Sequence, residues 1–193
     1  DDVSLLSGGL DSLCGALIRA KEPGSVFFLG HADTSTAVRR AQQRIEDRLR
    51  AGTPARPYSQ YALRPFGKYR NHVPKTRSLL FMTMAVAAAT GLGAGRVLVP
   101  EIGFTSINPP LEPSRAGVLT TRSTHPWTFY ALTGILNGLG RGHVQVMNPY
   151  STLTKGALVA LAMLGHTTAD QLLASQTVSC AKLNAGRPQG GNA

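Results

Sequence analysis

Ser7-Gly8-Gly9-Leu10-Asp11-Ser12 is the stretch on which the fold of this chain turns. It follows Val3 to Leu6, a short apolar run with the character of a buried strand, and it precedes Leu13 to Lys21, which reads as the first turns of a helix. A strand, a glycine-rich turn and a helix bring backbone N–H groups together on an anion at a helix N-terminus. Gly8 and Gly9 allow a tight turn and a close approach of phosphate to the backbone. Ser7 and Ser12 add hydroxyl donors, Leu10 lies inside the same cradle, and Asp11 suits a Mg²⁺ ion that bridges phosphate oxygens. No Gly-Lys-Ser/Thr follows the glycines, so the loop is not a Walker A.

Outward from that loop, strand-like and helix-like segments alternate. Ser25 to Gly30 reads as a second buried strand, and Thr34 to Ala51 as an amphipathic helix on Ala37, Ala41, Ile45 and Leu49, capped by Asp33, Thr34 or Ser35. A short strand is expected near Tyr61, inside an irregular stretch from Pro54 to Pro65, and Arg64 to Pro74 is expected to be mobile. Thr76 to Leu92 is apolar almost all round and is expected in the middle of the domain, ended by Gly91 and Gly93. Arg96 to Pro100 is a third strand, and Phe104 to Arg122 a long connection too polar for a core element. Pro126 to Leu139 (helix), His143 to Met147 (strand), Thr154 to Leu164 (helix) and Thr167 to Leu173 (short helix) complete the alternation. Such alternation calls for an α/β fold, a Rossmann-like parallel sheet with helices on both faces. Ligands in such sheets sit at the carboxyl ends of the strands, which gathers the loop after Leu6, the turn after Gly30 and the segment after Pro100 into one cleft.

Composition bounds the rest. At 193 residues and 42% hydrophobic content the chain can bury one sizeable core. The longest apolar run, Leu79 to Ala89, is too short to span a bilayer, and no signal-peptide pattern precedes Val3, so a cytoplasmic protein with no membrane partner is expected. The chain opens without an initiator methionine, as a fragment or a set of joined segments would. A net charge of +10 suits polyanionic partners, either nucleotides with pyrophosphate or an RNA, without choosing between them. Two cysteines far apart, Cys14 and Cys180, argue against a disulfide framework.

Several side chains fall where chemistry would be done. His31 follows the second strand, where a nucleotide's base or ribose would be met; an exposed turn histidine is the plain alternative. Arg77 and Ser78 open the apolar helix and offer a second anion site. Glu101 stands at a strand's carboxyl end, suited to Mg²⁺ or to hydrogen bonds from a substrate amine or base, or else to a loop or cap role. Arg122 and His125 lie in Thr120–Pro126, dense in hydroxyls, and suit an acidic substrate or a leaving pyrophosphate; Ser123 or Thr124 would cap the helix that follows. Lys155 sits in a helix's first turn, which the helix dipole disfavours unless an anion is near.

Taken together these segments resemble the QueC (7-cyano-7-deazaguanine synthase) family of PP-loop ATP pyrophosphatases, and more closely its phage-defence relatives of the QatC type. The resemblance lies in Ser7–Ser12, in Val73-Pro74-Lys75-Thr76-Arg77-Ser78-Leu79-Leu80-Phe81 (with Ser78 where the family has asparagine), in Asn108-Pro109-Pro110-Leu111, in Arg122–Pro126, in Lys155 and in Thr177-Val178-Ser179-Cys180. It implies a PP-loop domain over residues 1–175 with a tail at 176–193. It implies ATP and Mg²⁺ as cofactors and ATP-dependent adenylation of a 7-deazaguanine-type carboxylate, with pyrophosphate released and an amide or nitrile formed. By the same resemblance Ser7, Gly8, Gly9 and Ser12 would hold pyrophosphate, Asp11 would ligate Mg²⁺, and Arg77 and Lys155 would face the phosphates or the acyl-adenylate. In the defence branch the acceptor amine can be a protein, and a partner in a defence complex is then expected; a homodimer stays open. The family's four-cysteine zinc site is matched only by Cys180, an orphan ligand, since one cysteine makes no tetrahedral site.

Two further readings fit the sequence. A tRNA-modifying PP-loop enzyme suits the charge, although Cys14 and Cys180 are poorly placed for thiolation and nucleic acid is not favoured. A nucleotide-binding subunit without catalysis is the other.

Overall fold

The computed structural model of the chain describes residues 1–31, 35–52, 57–61, 77–107, 109, 123–165 and 167–178. Five parallel strands form one sheet: β1 (Asp2–Leu6), β2 (Val26–His31), β3 (Tyr58–Tyr61), β4 (Arg96–Leu98) and β5 (Gln145–Met147), in the order β3-β2-β1-β4-β5. Val3, at the centre, pairs with Phe27 on one side and Val97 on the other.

Helices cover both faces, as the alternation of segments requires. On one face α1 (Leu10–Lys21) and α2 (Thr36–Arg50) pack Leu13, Leu17, Ile45 and Leu49 against Leu6, Val26 and Phe28. On the other, α3 (Arg77–Leu92) and α5 (Pro126–Gly138) pack Met82, Ala85, Val86, Ala89, Leu132 and Leu136 against Val3, Leu29, Val97 and Val146. Burying a side chain such as Phe28 stabilises the fold by about 2–3 kcal/mol. A third cluster joins α1 to α6 (Lys155–Met163) through Cys14, Tyr150, Leu158 and Ala162. A one-turn helix, α4 (Gly103–Ile107), follows β4, and α7 (Thr168–Ser175) follows α6.

Four expectations are corrected. The helix over 76–92 is not buried in the middle: Leu79, Leu80 and Leu92 are 43–55% exposed, because α3 lies on the outside of the sheet and only one side of it meets strands. The core stripe of α2 runs Val38, Ala41, Gln42, Ile45, Leu49, with Ala37 exposed. The long connection after β4 begins with helix α4 rather than irregular chain. Helix α5 is capped by His125, not by Ser123 or Thr124. The segment 64–74 and most of 104–122 lie outside the described residues.

At the opposite end of the sheet from the glycine loop, Asp2 is buried between two arginines. Arg19 Nε donates to Asp2 Oδ2, and Arg96 donates from Nε to Oδ1 at 2.6 Å and from Nη2 to Oδ2 at 2.9 Å. Burial alone would raise the Asp2 pKa, but the hydrogen bonds from Arg96 and Arg19 outweigh it and hold the carboxyl below its ordinary value.

Candidate active site

The strand order reverses direction between β1 and β4. β2 and β3 are added on one side of β1, and the chain then crosses to the other side to lay down β4 and β5. Helices α1 and α2 consequently lie on one face and α3 and α5 on the other, so their loops diverge at the carboxyl ends of β1 and β4 and leave a crevice. Ser7–Ser12 forms one lip of it and residues 99–102 the other.

Gly8 has φ +89°, a conformation that side chains disfavour, and a Cβ there would press on Gln42 Cγ at 3.2 Å. Gly9 is the N-cap of α1 in extended conformation, with no side chain capping the helix. The loop closes on its own hydroxyls: Ser7 Oγ donates to Ser12 Oγ at 3.0 Å, Ser12 Oγ donates to Gly9 O at 2.9 Å, and Gly9 N–H reaches Ser7 Oγ at 3.3 Å. These weak or intraloop bonds leave the helix N-terminus open to an anion, where the amides and the helix dipole both favour negative charge.

Asp11 and Lys155 meet across the crevice. Lys155 Nζ lies 3.2 Å from Asp11 Oδ1, and Ile102 N–H points at Asp11 Oδ2 over 3.4 Å. The lysine is the first residue of α6, held there by Thr154, whose hydroxyl accepts from Ala157 N–H at 3.2 Å. Its side chain is 54% exposed, so it can turn from the carboxylate toward a ligand.

Glu101 belongs to the same electrostatic cluster. Burial, with the Asp11 charge beside it, pushes its carboxyl up to about 7, and Lys155 offsets part of that. Its backbone is pinned by Asn148: Glu101 N–H donates to Asn148 Oδ1 at 3.3 Å, and Asn148 Nδ2 donates to Glu101 O and Ser106 Oγ, each at 2.8 Å. Gly15 makes the approach possible, because a Cβ there would stand 2.6 Å from Pro100 Cβ. Beside the cluster, Ile102, Phe104, Ile107, Leu153 and Lys155 line an apolar cleft of about 640 Å³.

A Mg²⁺ ion typically takes one or two carboxylates and fills its shell with phosphate oxygens and water. Asp11 and Glu101 fit that donor set, with Asp11 Oδ1 buried and making no aligned hydrogen bond. No cluster of three or more His, Cys, Asp or Glu side chains forms a self-sufficient metal site among the described residues.

The other expected residues are placed differently. His31 ends β2, with its ring 4.7 Å from that of Phe81 in α3, which draws the start of α3 toward the same end of the sheet. Arg77 and Ser78 open α3 there, Ser78 half-buried; the Arg77 side chain lies outside what is described. His125 Nδ1 accepts from Trp127 N–H at 3.1 Å and so caps α5. Arg122 and Cys180 lie outside the described residues, as do Asn108 and Leu111.

Two residues have roles at the site that a reading of the sequence does not show. Gln42 is buried and donates from Nε2 to Leu6 O (3.1 Å), Ser7 O (3.2 Å) and His31 O (3.3 Å), while Gln60 donates to its Oε1. It ties the carboxyl ends of β1, β2 and β3 together. The signal was a glutamine inside an apolar helical stripe. The second is Val178, whose N–H donates to Gly8 O at 3.1 Å.

Cys14 is fully buried, and burial with Asp11 nearby pushes its thiol up to about 11. It packs in the cluster that joins α1 to α6, and a raised thiol pKa disfavours the thiolate. No helix among the described residues is long and apolar enough to cross a membrane.

No family model matches the chain. No curated protein matches it either. Among solved structures it is similar to the U34-tRNA thiolase NcsA from Methanococcus maripaludis with its [4Fe-4S] cluster, at 11% identity and a TM-score of 0.49, over 96% of this chain and 67% of that one. A likeness at that score assigns no chemistry. What the strands and helices themselves establish is an α/β fold with an all-parallel sheet and a glycine loop at its topological switch point.

Proposed function

We propose that the chain binds ATP with Mg²⁺ through Ser7–Ser12 and uses it to adenylate a carboxylate, releasing pyrophosphate, as PP-loop enzymes do. The observation that carries this reading is the pairing of an open, glycine-cradled helix N-terminus with the Asp11–Lys155 ion pair at the switch point of the sheet.

In this reading the β- and γ-phosphates lie on the Gly9 and Leu10 amides and the Ser7 and Ser12 hydroxyls. Asp11 and Glu101 would hold a Mg²⁺ ion, which would supply charge neutralisation for the leaving pyrophosphate. A substrate carboxylate oxygen attacks the α-phosphorus, the bond from that phosphorus to the bridging oxygen breaks, and an acyl-adenylate and pyrophosphate result. Lys155, freed from Asp11, holds the negative charge of the acyl phosphate. An amine then attacks the acyl carbon and AMP leaves with its electron pair. With no cation on it, Glu101 has its carboxyl raised to about 7 and is suited to take the proton the amine loses.

The apolar cleft beside Lys155 suits a flat, weakly polar acid, and the resemblance to QueC points to a 7-deazaguanine carboxylate yielding an amide or nitrile. The QatC-type features extend the proposal to phage defence, with a protein amine as acceptor. The Cys14 environment speaks against a thiolation reading.

Pyrophosphate release from ATP and Mg²⁺, with and without 7-carboxy-7-deazaguanine, tests the proposal. Release that requires the acid and is lost in Asp11→Ala supports it. ATP binding without release under any acid tried leaves a nucleotide-binding subunit as the better description.

A further inference from the structure

Beyond α6 the chain returns to the glycine loop along a path secured at several points. Lys21 Nζ donates to Leu164 O at 2.8 Å. Helix α7 begins with a reciprocal capping box between Thr167 and Asp170, and the fully buried Asp170 also receives Arg48 from α2, Nε at 2.6 Å and Nη2 at 3.1 Å. Leu173 and Ala174 pack on the cluster that holds α1 and α2. Thr177 then folds its N–H and hydroxyl back onto Ala174 O, at 3.3 and 2.8 Å, and the next residue reaches the loop.

That residue, Val178, donates its N–H to Gly8 O at 3.1 Å. The Gly8 carbonyl and the Gly9 N–H belong to one planar peptide unit, so fixing the carbonyl fixes the direction of the N–H. Gly8, at φ +89°, has little of its own to hold that plane, since glycine populates many backbone conformations. The Val178 carbonyl also borders Gly9, at 3.6 Å from where a Cβ would stand. From the other side Gln42 grips Leu6 O and Ser7 O, so the peptide planes of the loop are set by two unrelated parts of the chain.

We propose that Thr177–Val178 is a working part of the anion loop: the Val178 N–H holds the Gly8 carbonyl so that the Gly9 N–H, which reaches Ser7 Oγ at 3.3 Å, meets a bound pyrophosphate group once the Ser7 hydroxyl rotates aside. Val178 is a positioning residue acting through its backbone, and docking of this arm is thermodynamically coupled to anion occupancy. The inference rests on the phosphate-binding reading above. By linkage, whatever the arm contributes to pyrophosphate affinity, pyrophosphate must return as protection of the arm.

The test uses the full chain with magnesium pyrophosphate as the probe. Val178→Ala keeps the N–H and is expected to bind within about twofold of wild type, whereas Val178→Pro removes it and is expected to bind more weakly by on the order of fivefold to tenfold. Arg48→Met, remote from the loop, loosens α7 and is expected to weaken binding in the same direction; it carries the test if the proline variant fails to fold. In wild type, pyrophosphate is expected to slow hydrogen exchange at the Val178 amide, a reciprocity that a merely structural tether would not produce. Equal affinities for Val178→Pro and Val178→Ala, or exchange at Val178 indifferent to pyrophosphate, overturn the proposal while the phosphate reading stands. A wild-type chain that binds neither pyrophosphate nor ATP overturns both.

Discussion

Lys155 Nζ stands 3.2 Å from Asp11 Oδ1, joining the first turn of α6 to the first turn of α1 across the crevice of the sheet. A lysine at a helix N-terminus opposes the helix dipole, and here the Asp11 carboxylate offsets that cost. If the pair acts as one unit on phosphate, Asp11→Ala and Lys155→Met each lower pyrophosphate release by on the order of 10²-fold or more. The double variant then falls little below the worse single one. Losses that multiply fully in steady-state assays would show two independent residues instead.

Gln42→Leu is expected to destabilise the fold by about 2 kcal/mol, because the Leu6, Ser7 and His31 carbonyls each lose a donor in a confined space. Urea denaturation measures it. A change below about 0.5 kcal/mol would mean that water replaces the amide at no cost.

Glu101 has a carboxyl raised to about 7, so the folded chain binds more protons than the unfolded one between pH 4.5 and 7. Stability from this group is therefore present at low pH and is lost as pH rises through that window. Glu101→Gln is expected to stabilise the protein at pH 8 by on the order of 1 kcal/mol while flattening any ionisation near 7 in the rate profile. Melting curves of both proteins at pH 5 and pH 8 decide the matter: an equal difference at the two values removes the assignment.

Asp2→Asn leaves Arg19, a buried cation, short of its partner, and a loss of about 3 kcal/mol is expected. The folded-state pKa of Asp2 is lowered, so its contribution is present above the ordinary carboxyl range and is lost as pH falls through the lowered value. Acid unfolding of wild type should accordingly be steeper than that of Asp2→Asn. Parallel acid limbs would contradict this.

Gly15→Ala places a methyl 2.6 Å from Pro100 Cβ and 3.0 Å from the Tyr150 ring. Overpacking of this kind costs about 1–3 kcal/mol and should push α1, with Asp11, away from Glu101. Reduced pyrophosphate release at a temperature where the variant is still folded is the expected readout. Full activity would show that the spacing of α1 from residue 100 is not critical.

Much of the scaffold was legible because burial on both faces writes strands as apolar runs and helices as periodic stripes. Val3–Leu6, Ser25–Gly30 and Arg96–Pro100 became β1, β2 and β4 with small shifts at their ends. The errors came where local pattern meets layer geometry. Helix α3 is apolar on nearly all sides, yet periodicity cannot say that only one side of it faces the sheet. At α5 the Ser123 and Thr124 hydroxyls matched the capping preference, but the chain enters the helix one residue later and the His125 imidazole takes the role. Asp11, Lys155 and Glu101 were each legible as residues at strand or helix ends. Gln42 and Val178 were not, because one is polar inside a core stripe and the other acts only through its backbone.

The sequence by itself determined the kinds of elements, their alternation and the glycine loop, since these depend on side-chain periodicity and on where glycine relieves the backbone. It also implied a parallel sheet, because no short turn could join its strands. Only the tertiary structure decided the order β3-β2-β1-β4-β5 and the crossing that opens the crevice. It alone placed Lys155 against a carboxylate 144 positions earlier in the chain and returned Val178 to Gly8. Pairings at such separations follow from how layers close over a common core, and no local pattern encodes them.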